Sequence, residues 1–71
     1  MYNVETGIFP IKKKMEVEGA LDKELGLDYE ENDSYDKNGE LDGVSYMIFE
    51  ASHSEVKIIK DIEKRFGAKS I

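Results

Sequence analysis

The stretch Val44-Ser-Tyr-Met-Ile-Phe-Glu-Ala-Ser-His-Ser-Glu-Val-Lys-Ile-Ile-Lys-Asp-Ile-Glu-Lys-Arg-Phe-Gly67 decides the fold. Its first part, Val44 to Ala51, is rich in β-branched and aromatic side chains, which suit a pleated, packed surface. Both alternating sets are apolar: Val44, Tyr46 and Ile48 on one, Met47, Phe49 and Ala51 on the other. This predicts a central strand with at least one covered face. Ser52 then stands three residues before Glu55, the spacing of a capping box, in which each side chain satisfies the other residue's backbone amide. From Glu55 to Phe66, the apolar residues Ile58, Ile59, Ile62 and Phe66 fall within an arc of about 100°, the width of a core-facing helical stripe. Lys64 and Arg65 complement the negative end of the helix dipole. Gly67 can take the left-handed conformation that stops a helix. Ala68 to Ile71 is long enough for a short final strand. A strand–helix–strand unit is expected.

Upstream, Tyr2 to Ile11 carries Val4, Ile8, Phe9 and Ile11, a strand pattern interrupted at Gly7 and Pro10. Proline, lacking an amide hydrogen, confines such a strand to an edge or ends it. From Met15 to Leu25, Val17, Ala20, Leu21 and Leu25 form a helical face that stops at Gly26. Gly19 inside it costs about 1 kcal/mol relative to alanine. Alternation through Lys13, Met15 and Val17 leaves an extended reading open before Glu18. Leu27, Tyr29 and Glu31 alternate as a strand, and Asp36-Lys-Asn-Gly39 and Leu41-Asp-Gly43 carry turn signals. The resulting order, strand, helix, strand, turn, strand, helix, strand, is a βαββαβ pattern, the ferredoxin-like split unit. The expectation is one α+β domain over residues 1–71, an antiparallel sheet with two helices on one face.

The charge is localised. The chain has 16 acidic and 10 basic residues, a net of −6. Between Asp28 and Asp42 lie Asp28, Glu30, Glu31, Asp33, Asp36, Glu40 and Asp42, against the single base Lys37. Seven carboxylates less one ammonium account for the whole excess, and the remaining chain, with nine of each sign, is neutral. Charges gathered within a Debye length, about 8 Å at physiological ionic strength, act together on a partner. Such a patch repels nucleic acid and anionic membranes and attracts basic surfaces. The plain alternative is a solvated hairpin kept polar for solubility.

Other constellations are excluded on residue type. With no cysteine, disulfides and thiolate metal sites do not arise. Asp36, Asn38, Glu40 and Asp42 alternate like the oxygen ligands of a calcium loop, yet both EF-hand registers fail: one places Ser45 at the bidentate twelfth position, the other Leu41 at the glycine and Met47 at the glutamate. His53 is the sole histidine, without the Cys or second His that a metal or nucleophile pair would need, and its neighbours Ser52 and Ser54 form no Gly-x-Ser-x-Gly elbow. Lys12-Lys-Lys14, the one basic cluster, is too small for a nucleic-acid footprint and serves as a solvated face or an internal partner for the acids. Asp42 to Phe49 is similar to the third-strand signature of the RNA recognition motif, matching at Gly43, Tyr46 and Phe49. Asp42 stands where that family has a phosphate-binding base, and Val44 where it has its first base-stacking aromatic. A buried strand is the expected role, and −6 of charge beside it opposes RNA.

No basic leader followed by an apolar run opens the sequence, and no apolar stretch nears the roughly 20 residues that span a bilayer, so a cytoplasmic location is expected. The functional expectation is a non-enzymatic protein without a cofactor. Its acidic hairpin, residues Asp28, Glu30, Glu31, Asp33, Asp36, Glu40 and Asp42, would dock on a basic protein surface, in one form as a nucleic-acid mimic that inhibits a nucleic-acid-binding enzyme. The alternative is a homodimerising regulatory or small-molecule-binding module using an edge strand or the sheet face around Tyr46.

Overall fold

A computed structural model describes residues 1–70. The strands are β1 (Tyr2–Glu5), β2 (Phe9–Pro10), β3 (Tyr29–Tyr35) and β4 (Leu41–Ala51); the helices are α1 (Lys14–Ala20) and α2 (His53–Phe66). They form a four-stranded antiparallel sheet with two helices. β4 is its spine: β1 and β2 pair with one edge of β4, and β3 runs along the other from Tyr29↔Ile48 to Tyr35↔Leu41. Val44, Tyr46 and Ile48 share the face against which Val17, Ala20 and Leu21 of the first helical segment and Ile59 and Ile62 of α2 pack in one buried cluster. Both helices therefore cover the same side of the sheet.

The capping box at Ser52 is present in both directions: the Ser52 hydroxyl accepts from the Glu55 amide at 3.3 Å and the Glu55 carboxylate accepts from the Ser52 amide at 2.9 Å. It starts α2 two residues earlier than the apolar stripe indicates. Gly67, at φ 74°, ends it. The first helix also starts early, through a 3-10 turn at Ile11–Lys13, so the extended reading of residues 13–17 is wrong. It closes in a wider π turn, Leu21–Leu25, sealed by the Gly26 amide donating to the Leu21 carbonyl at 3.0 Å. Gly19 is exposed with open space where a Cβ would sit. Gly19→Ala is expected to stabilise the domain by about 0.5–1 kcal/mol, since alanine loses less backbone entropy in a helix. A urea melt checks this, and an unchanged midpoint would contradict it.

Three expectations need correction. Ala51 does not share a face with Met47 and Phe49: it is wholly buried in the core. A bulge in β4 opposite Tyr2–Val4, with Glu50 at φ 57° and its amide donating to Asn3 Oδ1 at 3.2 Å, reverses the alternation after Phe49. Gly43 makes no turn but lies inside β4, where a Cβ would stand 2.5 Å from Ile8 Cγ2 and 3.2 Å from the Phe9 carbonyl oxygen. The final strand is reduced to one antiparallel bridge, Ile8 to Lys69, with both amide–carbonyl bonds at 2.8 Å; Ile71 lies outside the described residues.

The break between β1 and β2 is built by Thr6. Its amide donates to the Tyr46 carbonyl at 2.8 Å, while its hydroxyl accepts from the Tyr46 amide at 2.9 Å and donates to the Gly7 carbonyl at 2.8 Å. A side chain thus does the work of a ladder carbonyl, and the fully buried Thr6 is satisfied. Gly7 follows because a Cβ there would strike the Lys69 carbonyl, and its amide donates to the Glu63 carboxylate at 2.8 Å.

Candidate functional site

The acidic segment occupies β3 and the hairpin that joins it to β4. The strand pleat divides it. Register places Glu31 and Asp33 on the helix-facing side, beside Tyr46 and Val44, and Glu30 on the opposite side, beside Met47. Asp28 precedes the strand, Asp36 and Glu40 lie in the turn, and Asp42 sits at a bulge where β4 has one more residue than β3. The seven carboxylates therefore surround the hairpin and do not form one flat patch.

Two of them have internal duties. Glu31 pairs with Lys14 at 2.8 Å. This hydrogen bond holds the Glu31 carboxyl below its ordinary range and raises Lys14 above its own. Lys14 comes from the basic cluster, so the intramolecular partner anticipated for the acids is present. Asp36 Oδ1 accepts from the Asn38 amide at 2.8 Å and the Glu40 amide at 3.0 Å, and the Asp36 carbonyl accepts from Gly39 at 2.9 Å, with Gly39 at φ 81°. Asp36 therefore shapes the turn. Asp28, Glu30, Asp33, Glu40 and Asp42 are exposed and make no ion pair among the described residues.

Behind the hairpin lies the polar centre of the core. Tyr46, wholly buried, donates its hydroxyl to Glu18 Oε2 at 2.9 Å. Its ring meets Tyr29 edge-on at 5.3 Å and Phe9 at 6.0 Å. Burial first, and the adjoining Glu18 second, push the phenol far above its ordinary range, so it remains a hydrogen-bond donor. Val44 and Tyr46, two positions of the RNA-recognition-like signature, thus face the helices and not solvent. An ion pair also ties the helices together: Arg65 bonds Asp61 at 2.5 Å and forks onto Glu24 at 2.6 and 3.0 Å, and this fork holds the Glu24 carboxyl below its ordinary range.

The helical segments carry both signs, with Glu16, Glu18, Asp22, Glu24, Glu55, Asp61 and Glu63 among their bases, so the excess negative charge is left at the hairpin. Eight of the ten bases stand on the helical segments, at Lys12, Lys13, Lys14, Lys23, Lys57, Lys60, Lys64 and Arg65. On the uncovered side of the sheet, Met47 is flanked in register by Glu5 on β1 and Glu30 on β3. Glu5 was not among the residues selected from sequence; the only signal was its parity in the first strand. Glu18 was equally hidden, because its role depends on a tyrosine 28 residues away. His53 is the exposed first residue of α2.

Fold and site together define a small α+β protein with an acidic hairpin. No family model, curated protein or solved structure matches the chain. No helix of the described residues is long and apolar enough to cross a membrane.

Proposed function

We propose that this chain is a non-enzymatic interaction protein of ferredoxin-like βαββαβ topology whose acidic hairpin docks on a basic surface of another protein. The observation that carries the reading is the concentration of charge: the segment from Asp28 to Asp42 holds the entire net charge, while the rest of the chain balances its acids with its bases. The described part of the topology agrees, with the N-terminal strand pairs between β4 and the Lys69 bridge, and β3 on the far side of β4. Asp28, Glu30, Glu31 and Asp33 lie along five strand steps, about 17 Å at ~3.3 Å each. That is about 5.5 Å between successive carboxylates, wider than the ~3.4 Å between charges on one strand of B-DNA. A basic channel that attracts phosphate backbone also attracts carboxylates set along a strand, so one form of the reading is a nucleic-acid mimic acting as an inhibitor or regulator.

The test is capture from native cell extract at low and high salt, with the parent chain and with a variant carrying Asp28→Asn, Glu30→Gln, Asp33→Asn and Asp42→Asn. Asp36 and Glu31 stay, because they hold the turn and Lys14. The parent is expected to retain basic proteins at low salt, to lose them at high salt and to release them to added duplex DNA. Capture of the same proteins by the variant would overturn the reading.

A further inference from the structure

We infer that the free edge of β3 is a strand-addition site for a basic extended segment of the partner protein. This rests on the docking reading above and supplies its mode of contact. The Phe49 amide donates to the Asp28 carbonyl at 3.1 Å, which sets the phase of the β3–β4 ladder. Antiparallel pairs alternate between bonded and non-bonded. Glu30, Asn32 and Ser34 therefore bond to Met47, Ser45 and Gly43, and Tyr29, Glu31 and Asp33 turn their N–H and C=O groups away from β4. None of these outward groups has a hydrogen-bond partner among the described residues. They line about 13 Å of edge at ~3.3 Å per residue.

The two edges of the sheet are guarded differently. On the N-terminal side, the strand is broken at Thr6–Gly7, stopped by Pro10 and bridged by Lys69. On the β3 side the strand is regular from Tyr29 to Ser34 and contains no proline. Only charge guards it, and charge discriminates between partners. A second copy pairing antiparallel about Asn32 would set Glu31 opposite Asp33, and like charges directly opposite destabilise a ladder. A strand bearing Lys or Arg meets opposite charges. Since Lys14 already occupies Glu31, the open carboxylates on the strand are Asp33 on the helix-facing side and Glu30 on the other. They are three residues apart, on opposite faces, so the fitting segment carries two basic residues three apart.

The test uses the full chain and the peptide acetyl-Thr-Lys-Thr-Val-Lys-Thr-amide, with two derivatives N-methylated on alternate residues in the two phases. Strand addition predicts salt-sensitive binding by the parent peptide and slowed exchange at the Glu31 and Asp33 amides. It also predicts a loss of about tenfold or more in one methylated phase only, where hydrogen bonds to the edge are blocked. Equal, salt-sensitive binding by all three peptides would overturn strand addition and leave electrostatic docking standing. Salt-insensitive binding, or none at low salt, would overturn strand addition and count against the docking reading as well.

Discussion

Tyr46→Ala is expected to leave the chain unfolded at room temperature. Tyr46 is the largest of the fully buried side chains. Its removal takes away two aromatic contacts, with Phe9 and Tyr29, and the hydroxyl that satisfies Glu18. Large-to-small aromatic truncations in a core cost about 3–5 kcal/mol, because the cavity collapses only in part. A domain of this length has roughly 3–5 kcal/mol in total. The two quantities are equal in size, so a single substitution spends the whole margin. Tyr46→Phe separates the contributions: it keeps the ring and removes only the hydroxyl. That variant should stay folded and lose about 1–2 kcal/mol, most of it from leaving the Glu18 carboxylate without its donor. Far-UV circular dichroism and urea melts decide both. A cooperative melt of Tyr46→Ala within 1 kcal/mol of the parent would show that this tyrosine is not the centre of the core.

Neutralising the β3 edge, with Glu30→Gln, Glu31→Gln and Asp33→Asn together, is expected to make the protein associate with itself. The substitutions keep side-chain size and remove the charges that keep a second β3 away. The outward N–H and C=O groups of Tyr29, Glu31 and Asp33 remain, on a strand without proline. An exposed, regular and uncharged edge is a template for pairing. Sedimentation velocity should show concentration-dependent dimers or larger species for the variant where the parent sediments at a lower value. Sedimentation equal to the parent's over the same concentration range would mean that something other than charge guards this edge. With Glu31→Gln the amide oxygen still accepts from Lys14, so the variant loses no more than one ion pair between groups that are about a third exposed, a small effect on stability.

Local rules in the chain were enough for several features. The Ser52–Glu55 box, the Ile59–Ile62 stripe and Gly67 specify α2, because caps and helical periodicity depend on residues within a turn of one another. The Asp36–Gly39 turn was legible for the same reason, as an aspartate and a left-handed glycine at fixed offsets. The concentration of charge between Asp28 and Asp42 needs only counting. Other features were not legible. The alternation that placed Ala51 beside Met47 fails at Glu50, because a bulge is set by how Asn3 on another strand meets it. Gly43 looks like a turn residue in isolation, and instead lies in β4, where the Ile8 side chain takes the space a Cβ would need.

The amino-acid order alone therefore determined the cap and stop of α2, the Asp36–Gly39 turn and the location of the charge, since each is fixed by neighbours within a few positions. The tertiary structure alone decided what the charge presents. Pairing phase sends Glu31 and Asp33 to one side and Glu30 to the other, and it turns three backbone amides outward. Lys14 removes one carboxylate from the surface set, and Tyr46 brings Glu18 into the core. These depend on contacts between residues 17 to 28 positions apart, a separation over which no local spacing rule acts.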